Sequence, residues 1–183
     1  MANILGIMGS PRKGGNTDVL LGHLLDGARH AGAETSVVRL ADLTIGECTG
    51  CFACWKLGAC VQQDDMLGLY GRIAAADVLV FATPVYWYGP TALMKAMLDR
   101  FVFFNDPKTR TQVRGKRAAI LVPLEESVEA ADPLVAMFEK SFRYLEMEFA
   151  GRLIVPGVFH RNDAIAKPES LEAARALGRS LAG

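Results

Sequence analysis

The amino-acid sequence predicts an α/β fold: one parallel sheet with helices packed against both faces. Three observations lead there. Five apolar, β-type runs recur along the chain, each followed by a helical pattern. The third run carries VLVFA, which is too continuously apolar for a strand with one face in water. The chain of 183 residues, 51% hydrophobic and 22% charged, has the size and composition of one globular domain with a full core.

Taken in order, the first strand is Asn3–Met8. A Gly-rich turn follows, and then a helix over Thr17–Ala31 with Val19, Leu20, His23 and Leu24 on one face. Thr35–Leu40 is the second strand. A cysteine-rich insertion at about residues 44–63 separates it from a helix over Asp64–Ala75. Asp77–Thr83 is the third strand. The helix after it, Thr91–Phe101, buries Leu93, Met94, Met97 and Leu98 and leaves Lys95 and Asp99 as an i,i+4 surface pair. Asn105–Arg114 is a polar loop. Arg117–Val122 is the fourth strand, with a helix over Asp132–Glu146. The fifth strand is about Gly151–Val155, before a last helix over Pro168–Leu181. Right-handed crossovers between parallel strands leave few topologies. No internal repeat, low-complexity tract or linker divides the chain, so residues 1–183 are expected to form a single domain.

The charge balance narrows the functional classes. Lys plus Arg and Asp plus Glu number 20 each, so no basic excess points to nucleic acid. No apolar run approaches a membrane span: even IAAADVLVFA is short and carries Asp77. MANILGIMGS has no positive region before its apolar stretch and reads as a buried first strand, not a signal peptide. The expected location is cytoplasmic, where stable disulfides are uncommon.

In parallel sheets of this kind the ligand sits outside the carboxyl ends of the strands. The loop after the first strand reads GSPRKGGNT. Its glycines, Gly15 among them, let backbone N–H groups approach an anion. Ser10, Asn16 and Thr17 add neutral donors, Arg12 adds a fork suited to phosphate, and the following helix N-terminus favours negative charge. The loop is neither a G-x-G-x-x-G fingerprint nor a Walker loop. The alternative is a plain Gly-rich turn with Asn16 or Thr17 as helix N-cap.

The loop after the third strand reads TPVYWYGP. Pro84, Val85, Tyr86, Trp87, Tyr88 and Gly89 suit the face and edge of a flat heterocycle, with Gly89 permitting close backbone approach. Alternatively, some of these rings cap the core or meet a neighbouring chain. The aromatic run and the segment FVFF, Phe101–Phe104, exceed what one small core is expected to hide, which points to a homodimer or homotetramer.

All four cysteines, Cys48, Cys51, Cys54 and Cys60, fall within one thirteen-residue stretch, spaced C-x2-C-x2-C-x5-C. Closely spaced thiolates in a loop suit an iron–sulfur cluster, and Gly50 and Gly58 allow the turns this needs. Zinc, disulfides and free thiols remain open, although the usual zinc finger holds two pairs farther apart.

Together, GSPRKGGNT, TPVYWYGP and the helix ending LMKAMLDR resemble the flavodoxin-like FMN reductases, and the cysteine spacing most resembles the iron–sulfur flavoproteins of anaerobic microbes. The resemblance spans about Asn3 to Phe101. It implies a flavodoxin-like three-layer sandwich with strand order 2-1-3-4-5. By resemblance, Ser10, Arg12, Asn16 and Thr17 hold the FMN phosphate, Pro84 to Gly89 hold the isoalloxazine ring, and the four cysteines bind one [4Fe–4S] cluster. The family's third loop reads VPLEESVEA here, more acidic and less Gly-rich than in many relatives.

The expected function is an FMN-dependent oxidoreductase. Electrons come in this reading from a reduced nicotinamide, NAD(P)H as a transient reductant, or from a protein donor, and go to a quinone, an oxygen species or a protein acceptor, with a ferredoxin-type protein among the partners. No catalytic acid–base side chain is assigned: His23, His30 and His160 are scattered and read as structural, and no G-x-S-x-G elbow is present. The competing readings are an electron carrier without its own organic substrate and a zinc-stabilised scaffold.

Overall fold

A computed structural model describes residues 1–183. The strands are β1 (Asn3–Met8), β2 (Glu34–Arg39), β3 (Val78–Ala82), β4 (Arg117–Pro123) and β5 (Glu148–Val155). The α-helices are α1 (Asn16–His30), α2 (Ala53–Leu57), α3 (Met66–Ala75), α4 (Ala92–Asp99), α5 (Pro107–Arg110), α6 (Asp132–Tyr144) and α7 (Pro168–Ala182). One sheet runs β2-β1-β3-β4-β5 with every neighbouring pair parallel. This is the flavodoxin-like order expected from the sequence. No helix is long and apolar enough to cross a membrane.

The period of two along each strand divides the core into two faces. Leu5, Ile7, Leu79, Phe81, Ile120 and Val122 meet α3, α4 and α6. Ile4, Met8, Val78, Val80, Ala119 and Leu121 meet α1 and α7. The central strand β3 is buried at all five positions, which explains its unbroken VLVFA run.

Three sequence expectations change. First, Phe101, Phe103 and Phe104 are buried in the core, with Val102 packed against it, so FVFF is no surplus awaiting a partner. The aromatic layer around Phe81 and Tyr70 absorbs it: Phe101 lies 6.2 Å from Phe81, and Phe103 lies 4.3 Å from Tyr70. Second, β5 starts at Glu148. A register shift leaves Ala150 unpaired between Phe149 and Gly151, and this break hid the strand's first half. Third, the polar loop Asn105–Arg114 contains the short helix α5, capped by the Asp106 carboxylate, which accepts from the Lys108 N–H at 2.9 Å.

α7 lies along α1 so closely that both helices need glycine. A Cβ on Gly178 would sit 1.9 Å from the Leu24 carbonyl oxygen, and one on Gly27 would sit 2.2 Å from that of Arg175. Backbone atoms cannot step aside as a flexible side chain can. Gly178→Ala is therefore expected to lower stability by about 1–3 kcal/mol through overpacking, despite alanine's better helix propensity. Gly68→Ala, in α3 with nothing within 4 Å of its added Cβ, should instead raise stability by up to ~1 kcal/mol. Urea unfolding of the two variants checks both signs.

Candidate functional site

The carboxyl ends of β1, β3, β4 and β5 open on one side of the sheet, and their loops meet there. The loop after β1 is seated by Gly9. Its N–H donates to the Ala82 carbonyl at 2.8 Å, and its own carbonyl accepts from the Thr91 hydroxyl at 2.6 Å. A Cβ at Gly9 would press on Met94 at 2.8 Å. Thr91 also caps α4, accepting from the Met94 N–H at 3.2 Å. One threonine thus ties the start of α4 to the end of β1.

α1 starts without a side-chain cap. Gly15 occupies the N-cap position, and the N–H groups of Asn16, Thr17 and Asp18 meet no acceptor in the chain. Asn16 and Thr17 do not cap. The Asn16 amide turns away instead, donating to the His160 carbonyl at 2.9 Å and accepting from the Ala164 N–H at 3.1 Å. Asp18 accepts from the Gly14 N–H at 2.5 Å and from Arg39 at 2.5 and 3.0 Å, so its charge is neutralised beside the helix start. Arg12 has no carboxylate partner; its guanidinium reaches only the Phe159 carbonyl, at 3.5 Å. Free N–H groups, the positive end of a fifteen-residue helix and an unpaired guanidinium together make an anion socket. Ser10, Arg12, Gly15, Asn16 and Thr17 line a cavity of about 180 Å3 there, closed on the far side by Val158 and Phe159 of the β5 loop.

The socket continues toward the β3 loop. Pro84, Val85 and Tyr86 line its other wall with Leu124 and Glu125. Val85, Leu124 and Glu125 also line a second cavity of about 240 Å3, with Trp87, Tyr88 and Glu126. The two cavities therefore form one groove. Tyr86 and Gly89 exchange backbone hydrogen bonds of 2.8 and 3.0 Å, and Trp87 and Tyr88 between them adopt φ of 50° and 62°. This is a two-residue turn of type I′ with bulky residues where glycine or asparagine is favoured. Each left-handed residue costs on the order of 1–3 kcal/mol, and the turn presents Trp87 at 97% exposure. Gly89 lines neither cavity and closes the turn; the positive φ angles fall on the two aromatics.

The cysteine segment lies elsewhere in the fold. Cys54 is buried at the second position of α2, Cys48 and Cys60 are half-buried, and Cys51 is exposed; all four are free thiols. Gly50 and Gly58 take positive φ, as the sequence expects, and Phe52 does too. The thiols are not drawn into one coordination sphere: no three His, Cys, Asp or Glu side chains form a metal-binding group. Burial, followed by the neighbouring Cys60, Cys48 and Cys51 charges, pushes the Cys54 thiol up. Hydrogen bonds from the Ala53 backbone and the Thr49 side chain hold Cys51 below the usual thiol range.

Arg100 anchors the segment. It is 1% exposed, yet it donates to the Gly46 carbonyl at 2.9 Å, to Asp64 at 2.6 and 3.2 Å and to the Cys60 sulfur at 3.2 Å. The Tyr70 hydroxyl donates to the Arg100 carbonyl at 3.1 Å. Burial pushes the Asp64 carboxyl up, but hydrogen bonds from Arg100 and the Gly46 N–H more than offset this and hold it below its ordinary 3.8.

Comparison with known proteins places this architecture. A family model described as NADPH-dependent FMN reductase matches residues 2–151. The chain belongs to this family. It is 36% identical over 118 residues to a protein of Archaeoglobus fulgidus named iron-sulfur flavoprotein, covering 64% of this chain and 52% of that one. It is 30% identical to the Bacillus subtilis protein YwqN, named as an NAD(P)H-dependent FMN-containing oxidoreductase, over 95% of this chain and 96% of that one. The solved structure of the Trp repressor binding protein from Bacillus subtilis superposes with a TM-score of 0.73 at 26% identity, covering 96% of this chain and 99% of that one. The chain spans about half the length of the iron-sulfur flavoproteins it matches.

Within this family frame, the sequence-predicted residues of the first and third strand loops converge on the groove, Gly89 excepted, and the cysteines do not join it. Sequence reasoning missed Val158 and Phe159, which lie beyond the matched stretch and carry no motif. It also missed the Arg100–Asp64 pair, whose partners are 36 residues apart. The position of Phe159 just past a strand's carboxyl end was the available signal.

Arg100→Met is expected to lower stability by roughly 3–5 kcal/mol, because it leaves Asp64 half-buried and unpaired. The Asp64 pKa is depressed in the fold, so its contribution is complete above about pH 4 and is lost as pH falls through the lower folded value. Urea unfolding at pH 5 and pH 3 should show a larger acid loss in the wild type than in Asp64→Asn.

Proposed function

We propose that the protein is an FMN-dependent oxidoreductase, passing electrons from a reduced nicotinamide or a protein donor to a small-molecule or protein acceptor. The observation that carries this reading is the two-ended groove: an anion socket with three unsatisfied N–H groups, continuous with an aromatic-walled slot. FMN has that form, a terminal phosphate on a flexible chain ending in a flat ring. Family membership supports the same cofactor.

The residues present fit the group. The N–H groups of Asn16, Thr17 and Asp18, the Ser10 hydroxyl and the Arg12 guanidinium would hold the phosphate. Val85, Tyr86, Trp87, Tyr88 and Leu124 would hold the ring. Bound FMN supplies hydride and single-electron chemistry; the chain supplies position and exclusion of water. Asn16 fixes the loop carrying Phe159 and His160 across the socket's outer side. That wall favours a terminal phosphate over the extended diphosphate of FAD.

A second reading adds an iron–sulfur cluster on Cys48, Cys51, Cys54 and Cys60. What favours it is the gathering of every thiol in one segment and the similarity to proteins named iron-sulfur flavoprotein. The thiols do not converge here, so cluster binding would require the segment to rearrange, and no electron route is drawn through it.

Arg12→Ala should weaken FMN binding about 10- to 100-fold, the loss of one charge-assisted contact. Quenching of flavin fluorescence measures it, and an unchanged dissociation constant would remove Arg12 from the socket. For the cysteines, anaerobic reconstitution followed by iron and sulfide analysis should give about four irons per chain. Fewer than about one, with FMN bound normally, would sink the second reading and leave the first intact.

A further inference from the structure

The ring end of the groove carries charge as well as aromatic walls. Val85, Trp87, Tyr88 and Leu124 surround a cavity whose other two lining residues are Glu125 and Glu126, with no basic side chain among them. Neither carboxylate has an ion-pair partner anywhere in the chain. The backbone that carries them is well held. Leu124 donates to the Val155 carbonyl at 3.0 Å, its own carbonyl accepts from Val158 at 3.0 Å, and the Glu125 carbonyl accepts from Gly157 at 3.1 Å. The groove thus has an unpaired cation, Arg12, at one end, an unpaired carboxylate, Glu125, where the two cavities join, and a second, Glu126, at the ring end.

We propose that Glu125 and Glu126 make the ring end a charge filter on electron acceptors, which admits those whose ring is neutral or cationic and turns away those that carry an anionic group on the ring. This rests on the reading that the groove holds FMN, because the substrate must then meet the flavin at this mouth. The sequence reading saw only that the loop was more acidic than in many relatives. The structure adds that its first two carboxylates line the aromatic cavity, and that neither forms an ion pair.

The physics sets the size and conditions of the effect. A cleft lined by one sign of charge, with apolar walls, focuses the field on whatever enters. Specificity then arises from a repulsive element and not from a new attraction. Both glutamates are solvent-exposed, so the effect per carboxylate is about two- to five-fold and fades as salt shortens the screening length.

The test uses the FMN-loaded protein with a reduced nicotinamide as donor and two acceptors sharing one ring: 2-methyl-1,4-naphthoquinone, which is neutral, and 1,4-naphthoquinone-2-sulfonate, which is anionic. The intrinsic difference between the quinones cancels when the ratio of their kcat/KM values is compared between the wild type and the Glu125→Gln/Glu126→Gln variant. The variant ratio should shift toward the sulfonate by about four- to twenty-five-fold at low ionic strength, from two carboxylates acting together, and the shift should shrink at high salt. A ratio the same in both proteins within about two-fold would overturn the filter. If neither quinone turns over, the proposed activity is what fails. Binding then decides the filter: in a Trp55→Phe background, Trp87 is the one tryptophan left. The ratio of its quenching constants for the two quinones should move toward the sulfonate in the Glu125→Gln/Glu126→Gln form, and an unchanged ratio would overturn the filter.

Discussion

Three backbone N–H groups at the start of α1 have no acceptor within the chain, and much of the site is arranged around keeping them that way. An uncapped helix start normally finds a serine, threonine or aspartate side chain. Here no side chain caps the helix, and three of the candidates are engaged elsewhere. Asn16 is drawn off to the β5 loop, Ser10 accepts from the Arg12 N–H, and Asp18 is held by Arg39 and Gly14. Donors left open at the positive end of a long helix form a site that only an anion completes. Because α1 is locked against α7 through Gly27 and Gly178, the donors cannot relax by shifting the helix.

The other end of the groove stores cost in a different form. Trp87 and Tyr88 sit in left-handed backbone, and Trp87 is almost wholly in water. A sequence selected for stability alone would place glycine or asparagine there. Strain and exposed aromatic surface at the mouth of a cavity are what a ring ligand would relieve by stacking. The protein thus holds a donor-rich end and a ring-ready end at a separation set by the rigid sheet edge between β1, β3 and β4.

Most of the fold was legible because its signals are local. Alternating apolar runs and helical patterns marked the elements, and the VLVFA run marked the centre of the sheet. The first and third strand loops were legible for a similar reason: glycines, prolines and consecutive aromatics state their own constraint. What escaped notice depends on distance along the chain. β3 and β4 separate β5 from β1, and Phe159 reaches the socket only because the loop after β5 returns to the β1 loop, where its carbonyl meets Arg12 and that of His160 meets Asn16. Arg100 looked like the end of an amphipathic helix until the fold brought Asp64 and Cys60 to it. The FVFF segment misled because an apolar count cannot tell whether a neighbouring helix layer has room for four more large side chains. Gly89, expected to give a ligand close backbone approach, lines neither cavity and instead closes a turn whose positive φ angles fall on Trp87 and Tyr88.

The central claim, that the start of α1 is a phosphate socket, is tested most directly at its own atoms. Amide resonances and hydrogen exchange of Asn16, Thr17 and Asp18 can be followed as FMN is added, with riboflavin, which lacks the phosphate, as the comparison. All three amides should shift and become protected with FMN and remain close to their free state with riboflavin. FMN that binds while leaving the three amides unchanged would contradict the account.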